Sequence, residues 1–420
     1  MTLLVIVIII LLAAIGMPLF IVLGAGGLIS AQAADLDASV LIIEMYRLAS
    51  QPNLVAIPLF TLAGITMAEG GSPQRLIRLF DALLGWLPGG LAIVCIASCA
   101  FFTAFTGASG VTIIALGGLL YPLFQKAKYT ESFSLGLLTS GGSLGLLLPP
   151  SLAVLLYGIV SGASIDDLFV AGLVPGLMLL VMLSIYSHFT VKKWNIESHV
   201  FSLEKVVSAV KTAIWDIILP VLIAVGIFGG FVTVTEAAAI TAAYALMIET
   251  VVFKKLSFFN DLPRVLVETS KLVGSILIIL GVAMGLTNLL IDSQLPMHLL
   301  QVIESHISSP WQFLLLLNIF LLIVGAMMDI FSAIVVVVPL ILPLALRYNI
   351  DPVHLGIIFL ANLEIGYMTP PVGINLFIAS QRFGKSVLEI FSATLPFLMI
   401  MLLWLALLTY VPFISLWWQS

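Results

Sequence analysis

Two short polar runs interrupt long apolar stretches of the chain, TGASG at 106–110 and MMDIFSA at 327–333. The first offers the hydroxyls of Thr106, Ser109 and Thr112 beside the Gly107 carbonyl. The second offers Asp329 and Ser332 beside the Met328 carbonyl. Hard oxygen donors with no thiolate or imidazole nearby suit Na⁺ or a proton better than a transition metal. Two further segments, GGSLGLLLPPS at 141–151 and NLEIGYMTPPVGIN at 362–375, each carry a double proline. A proline removes a backbone donor and clashes with the carbonyl one turn earlier. The carbonyls from Gly145 to Leu148 and from Gly366 to Thr369 are therefore expected to lack helical partners. In lipid such groups must be satisfied, and a bound cation can do it. One Na⁺ site is expected in each half of the chain, between a polar run and the broken helix that follows it. The ligands would be Thr106, Gly107, Ser109, Thr112, Gly145 and Leu148 in the first half, and Met328, Asp329, Ser332, Gly366 and Thr369 in the second.

Beyond each double proline a new half-helix starts, at Ser151 and at Val372, with its positive dipole end inside the membrane. Two such ends facing one cavity attract an anion such as a carboxylate. The expected substrate contacts are Pro150, Ser151, Pro371, Val372, Gly373 and Asn375, whose amide can add a directional hydrogen bond. Carboxylates within the bilayer are costly and mark function. Asp329 and Glu364 occur only in the second half, where the first has Ala108 and Ser143. Glu236, in TVTEAAA, reads as a helix-capping residue. Cys95 and Cys99 share a helix face without the further ligands a metal needs, so core packing accounts for them.

Several reaction chemistries are excluded. GGSLG at 141–145 has the form of a nucleophile elbow and GASG at 107–110 resembles an intramembrane serine protease, but either needs a base within reach. All five histidines, at 188, 199, 298, 306 and 354, fall at span ends or in loops. There is no GxxxxGK[ST] phosphate loop, so uphill transport would draw on an ion gradient. No basic cluster suggests nucleic acid. The chain is expected not to be an enzyme.

The elements that hold these residues are helices in lipid. The 420 residues are 61% hydrophobic and 9% charged, against roughly 25% charged in ordinary soluble proteins. Hydropathy predicts full spans near 3–29, 53–69, 132–160, 167–191, 213–232, 234–253, 272–291, 353–380 and 388–412. The first is read as a retained span, since no cationic region precedes it. Two stretches, 89–124 and 311–345, are each about 36 residues long, roughly twice a span at 1.5 Å per residue. Folded at their polar runs, they become re-entrant hairpins that enter and leave by one face. The loops rich in Lys and Arg set the faces: the first hairpin, flanked by Arg75, Arg78, Lys126 and Lys128, opens to the cytoplasm, and the second to the other side. The amphipathic stretch 74–87 is expected to lie along the cytoplasmic interface, its arginines snorkelling.

Opposite orientation of two similar hairpins suggests an inverted repeat. Laying Pro150 on Pro371 gives an offset of 221 (371 − 150), and the same offset puts Pro122 on Pro343, Gly145 on Gly366, Pro149 on Pro370 and Pro175 on Pro396. The fold class expected is an all-α polytopic membrane protein with two re-entrant hairpins and two broken helices, binding its solute near the midplane. Four units follow: scaffold helices and an interfacial arm over 1–88, the first transport half over 89–191, further scaffold over 192–310, and the second transport half over 311–420.

These residues resemble a family: the large membrane subunit of the tripartite ATP-independent periplasmic (TRAP) transporters, within the ion-transporter superfamily. The resemblance runs through LAGITMAEGG (62–71), FFTAFTGASGVT, GGSLGLLLPPS, GIFGGFVTVTEAAA (226–239), MMDIFSAIVVVVPLILP (327–343) and NLEIGYMTPPVGINLF (362–377). Ala108 and Gly110 stand where the family often has serine or another small residue, and Val234 where proline is common. The resemblance implies a bacterial inner-membrane permease with two partners, a small four-helix membrane subunit and a periplasmic substrate-binding protein. It also implies coupling to Na⁺, an elevator motion of hairpins and broken helices against the scaffold, and an organic acid or related small polar solute. A stand-alone sodium/dicarboxylate symporter and a non-transporting membrane scaffold are the alternative readings.

Overall fold

The structure is a computed structural model that describes residues 17–33, 37, 39–194, 201–292, 307 and 309–419. Most of the expected first span, the loop before the second hairpin, and His199, His298 and His306 lie outside the described residues. Among those described there are seventeen α-helices. They are α1 (Leu19–Ala33), α2 (Ser39–Ala49), α3 (Ala56–Glu69), α4 (Ser72–Leu84), α5 (Gly90–Thr106), α6 (Ser109–Lys126), α7 (Glu131–Gly141), α8 (Leu152–Ser161) and α9 (Ile165–Lys192), then α10 (Leu203–Phe228), α11 (Val234–Met247), α12 (Leu262–Asp292), α13 (Pro310–Met327), α14 (Ile330–Arg347), α15 (Pro352–Gly366), α16 (Ile374–Phe383) and α17 (Val387–Tyr410). Among the described residues, eight helical segments are long and apolar enough to cross a membrane.

Both hairpins fold where the polar runs predict. Gly107 turns the first in the left-handed region at φ 63°, and the second turns at Met328 and Asp329. An 18-residue arm such as α14 is about 27 Å long, most of a roughly 30 Å hydrocarbon core. Both broken helices also form, as α7 then α8 and as α15 then α16, and both double prolines, 149–150 and 370–371, are cis. The repeat holds residue for residue at its centre. Shifted by 221, α14 covers 109–126 (330 − 221 and 347 − 221), the span of α6.

Three boundaries differ from expectation. Residues 39–49, left as a connection in the hydropathy reading, form α2, which packs with α1 on α12. Its 11 residues, with Glu44 and Arg47 among them, are too short and polar for a span, but its amphipathic face suits a packed helix. The spans expected at 213–232 and 272–291 begin earlier, at Leu203 and Leu262, because the polar turns that precede the apolar windows continue the helix.

Two groups of helices pack against each other. α3, α10, α11 and α12, with α1, α2 and the amphipathic α4, form the first, and from it α3 and α4 also pack on α5 and α12 on α14. The hairpins and broken helices interlock as a second group, closed by α9 and α17. Val353 to Gly366 of α15 are all buried, as expected of a helix at the centre of a bundle. Glu236 is the capping residue expected of it: its carboxylate accepts from the Thr233 N–H at 2.8 Å while the Thr233 hydroxyl accepts from Glu236 N–H.

Arg75 does not snorkel as expected but is buried within the protein. Its side chain is 6% exposed, and its guanidinium donates to Asp216 of α10 at 2.6 and 2.8 Å and to Glu249 after α11. The Phe253 ring lies 3.9 Å from its central carbon. Two carboxylates inside apolar helices require a cation, and α4 brings it. Arg78, one turn further along the helix, is exposed as expected.

Candidate functional site

Each break docks on the first arm of its own hairpin, and a glycine makes the contact possible. A Cβ at Gly145 would collide with the Ala100 carbonyl and the Ala104 N–H of α5. One at Gly366 would lie 2.5 and 2.6 Å from Gly325 backbone atoms of α13. The offset that relates Gly145 to Gly366 also relates Ala104 to Gly325 (104 + 221), so both halves use one joint.

The second arms do something the sequence does not reveal: they cross between repeats. α6 packs along α16, and α14 along α8. At the first crossing the Ser109 hydroxyl donates to Asn375 Oδ1 at 2.7 Å, which joins the first hairpin tip to the second broken helix. The expected grouping of each tip with the broken helix of its own half is therefore incomplete. Both tips and both breaks converge on one region.

The first tip contains Thr106, Gly107, Ser109 and Thr112. Thr106 is the last residue of α5, 3% exposed, and its hydroxyl has no hydrogen-bond partner. Gly107 lies against Leu152 at the start of α8. The Thr112 hydroxyl is engaged 2.7 Å from that of Thr103, which also donates to the Gly142 carbonyl at 2.9 Å. Thr112 thus knits the tip to the first break. The break carbonyls are less free than two prolines imply. Gly145 accepts from Leu148 N–H at 3.1 Å and Gly366 from Thr369 N–H at 2.9 Å, tight turns that use one lone pair of each oxygen.

At the second tip Asp329 caps α14. Its Oδ1 accepts from the N–H groups of Phe331 and Ser332, both at 3.0 Å, and its other oxygen from the Ser332 hydroxyl. Met328 is extended beside it. Tyr367, which the sequence reading missed, completes this end: its hydroxyl accepts from Ile330 N–H at 2.5 Å, and its carbonyl accepts from Asn375 N–H at 3.1 Å. A lone phenol directly after the break glycine was the available signal. Thr369 is half-buried, its hydroxyl turned back on the Ile365 carbonyl.

The half-helix starts are partly closed by the chain itself. Ser151 caps α8 through Val154 N–H at 3.5 Å. The N–H groups of Val372 and Gly373 donate to the Ala326 carbonyl, each at 3.1 Å. Pro150 is buried at the first break, whereas Pro371 and Val372 are exposed at the second. Asn375 is the second residue of α16 and fully buried, and its Nδ2 has no acceptor. Glu364 is also fully buried, with no partner for either oxygen.

Other features lie apart from this region. A cavity of about 420 Å³ between α5, the first break, α9 and α10 is lined only by apolar side chains, and suits neither ion nor acid. His188 contacts the Pro88 carbonyl and His354 the Ser415 hydroxyl, so neither serves as a base for the GGSLG segment.

Known proteins agree with this architecture. The family model described as "Tripartite ATP-independent periplasmic transporter, DctM component" matches residues 6–414. The C4-dicarboxylate TRAP transporter large permease protein DctM of Pseudomonas aeruginosa is 37% identical over 90% of this chain and 88% of its own length. The ectoine TRAP transporter large permease protein TeaC of Halomonas elongata is 35% identical over 87% and 85%. The isethionate TRAP transporter permease protein DctMQ of Oleidesulfovibrio alaskensis is 37% identical over 86% of this chain and 57% of that longer one. In fold, the chain matches the YdaH transporter of Alcanivorax borkumensis with a TM-score of 0.59 at 15% identity, covering 90% of this chain and 88% of that one. The chain belongs to the DctM family of TRAP transporters: it is a large permease subunit, a multi-pass inner-membrane protein and not an enzyme.

Proposed function

We propose that the chain is the sodium-coupled permease of a TRAP system that imports a small organic acid or related polar solute delivered by a periplasmic binding protein. The observation that carries the reading is the joint repeated at offset 221, in which a glycine at each helix break lies against a hairpin arm, together with the Ser109–Asn375 bond that ties the first tip to the second broken helix. Such convergence of discontinuous helices is the architecture that holds solute and coupling ion together near a midplane.

The second cation site comprises Asp329 and Ser332 with the carbonyls of Met328, Gly366 and Thr369. The first comprises Thr106, Gly107 and Ser109 with the carbonyls of Gly145 and Leu148, and Thr112 braces it. Solute binds among Pro150, Ser151, Pro371, Val372, Gly373 and Asn375. Residues 89–191 and 311–420 move together as an elevator against the scaffold of residues 1–88 and 192–310, and the small four-helix membrane subunit joins that scaffold. The relatives named for C4-dicarboxylates, ectoine and isethionate favour a small acid-bearing solute. The greater length of the DctMQ chain leaves room for a second component and supports partnership with a small subunit.

Asp329 supplies the test. Asp329→Asn keeps a residue able to cap α14 but removes the charge, and the Na⁺ concentration for half-maximal uptake rises by about tenfold or more. An unchanged Na⁺ dependence in reconstituted complexes removes Asp329 from the ion site.

A further inference from the structure

Three buried hydrogen bonds run from one hairpin tip to the other through Tyr367. At the second tip the N–H of Ile330, the first residue of α14, donates to the Tyr367 hydroxyl at 2.5 Å. The Tyr367 carbonyl, directly after the break glycine, accepts from Asn375 N–H of α16 at 3.1 Å. Asn375 Oδ1 in turn accepts from the hydroxyl of Ser109, the first residue of α6, at 2.7 Å. Ile330 and Ser109 are repeat mates at offset 221 (109 + 221). The relay therefore joins the same point on the two second arms, and it crosses the second break on its way.

The second half alone has the residues for it. Tyr367 and Asn375 have Leu146 and Val154 as counterparts (367 − 221 and 375 − 221), and neither of those side chains can hydrogen-bond. The relay is thus separate from the shared joint, which needs only the glycines. Ile330, Tyr367, Asn375 and Ser109 are each 5% exposed or less, so water does not take the place of a broken link. If one tip moves relative to the other, it either carries the relay with it or leaves a buried donor and acceptor unmet.

The two ends of the relay lie in the two proposed cation sites. Ile330 stands between Asp329 and Ser332, and Ser109 is itself a proposed ligand. With its proton committed to Asn375, the Ser109 oxygen keeps its lone pairs for a cation. We propose that Tyr367 is the positioning residue that couples the two sites. A cation that orders the second tip holds Ile330 N–H on the phenol, and through Asn375 it sets the Ser109 oxygen for the cation at the first tip. The coupling is reciprocal, so either ion strengthens binding of the other. This rests on the sodium-coupled reading and adds the residue through which the ions cooperate.

The test needs Na⁺ alone. Charge displaced by Na⁺ concentration jumps is recorded from proteoliposomes that hold the purified complex on a solid support, with choline replacing Na⁺ at constant ionic strength. The native complex gives a sigmoidal saturation curve with a Hill coefficient above about 1.5, toward the limit set by two sites. Tyr367→Phe keeps the ring in place but removes the hydroxyl, and the coefficient falls to about 1. Asn375→Val, which cuts the other link, gives the same loss, and the double variant loses nothing further because both changes break one relay. Asn375→Val also decides the matter if Tyr367→Phe does not fold. A purely structural role for the phenol would shift the midpoint and leave the curve sigmoidal. That result overturns the proposal, as does a hyperbolic curve from the native complex. A native complex with no response to Na⁺ removes sodium coupling itself, and the relay with it.

Discussion

Replacing Arg75 by methionine lowers the stability of the folded chain by about 3–5 kcal/mol, because it leaves two buried carboxylates without their cation. Asp216 is 2% exposed and Glu249 1%, so water cannot replace the guanidinium. Arg75→Lys does not rescue fully, since an ammonium cannot reproduce the paired contacts to Asp216 and the third to Glu249. Neutralising the acids together, as Arg75→Met with Asp216→Asn and Glu249→Gln, recovers much of the loss, because the cost lies in the unpaired charges. Arg78→Ala, exposed on the same helix, changes stability by less than about 0.5 kcal/mol. Thermal unfolding in lipid nanodiscs reads all four variants. A native melting curve for Arg75→Met would show that the triad contributes no net stability.

A valine at Gly366 abolishes uptake while leaving the complex assembled in the membrane. The first added carbon meets Gly325 backbone at 2.5 and 2.6 Å and Ala326 N at 2.9 Å. A backbone cannot rotate away as a side chain can, so α13 must retreat from α15. Overpacking of this kind costs about 1–3 kcal/mol or more. It also draws the Ala326 carbonyl away from the Val372 and Gly373 N–H groups it holds, which opens the second break. The matching Gly145→Val forces the first break off α5 and has the same consequence. Uptake in both variants falls to below about a tenth of native, the change that 1.4 kcal/mol produces. Native uptake in either would dissociate the glycine joint from transport.

Much of this was legible in the sequence because it is local. Polar runs inside overlong apolar stretches fold hairpins, and double prolines break helices wherever they occur. The offset of 221 needs only rare residues to be visible, and α14 confirms it to the residue against α6. Contacts between distant segments were not legible. Arg75 reaches Asp216 across 141 residues and Ser109 reaches Asn375 across 266, and no periodicity encodes either. Amphipathicity placed Arg75 at an interface, whereas pairing buried it. Asp216 and Glu249 carried the missing signal, since carboxylates inside apolar helices need a partner. The break carbonyls were misjudged for a different reason: proline removes the helical bond, but a tighter turn replaced it at Gly145 and at Gly366.

The unequal chemistry of the two halves follows from the same alignment. The joints are equivalent, but Asp329 has Ala108 as its counterpart and Tyr367 has Leu146. The second tip is thus internally satisfied and negatively charged, while the first keeps unmet donors. On the proposed reading, an anionic solute bound beside the coupling cations partly balances their charge. Such a site crosses a low-dielectric layer at far lower cost than either ion alone.

Uptake by the complex reconstituted in proteoliposomes, with its small subunit and loaded binding protein, separates the possibilities. Solute accumulates when Na⁺ is high outside and low inside, and does not accumulate with equal Na⁺ on both sides or with choline outside. Accumulation that persists without a Na⁺ gradient would contradict sodium-coupled import by this permease.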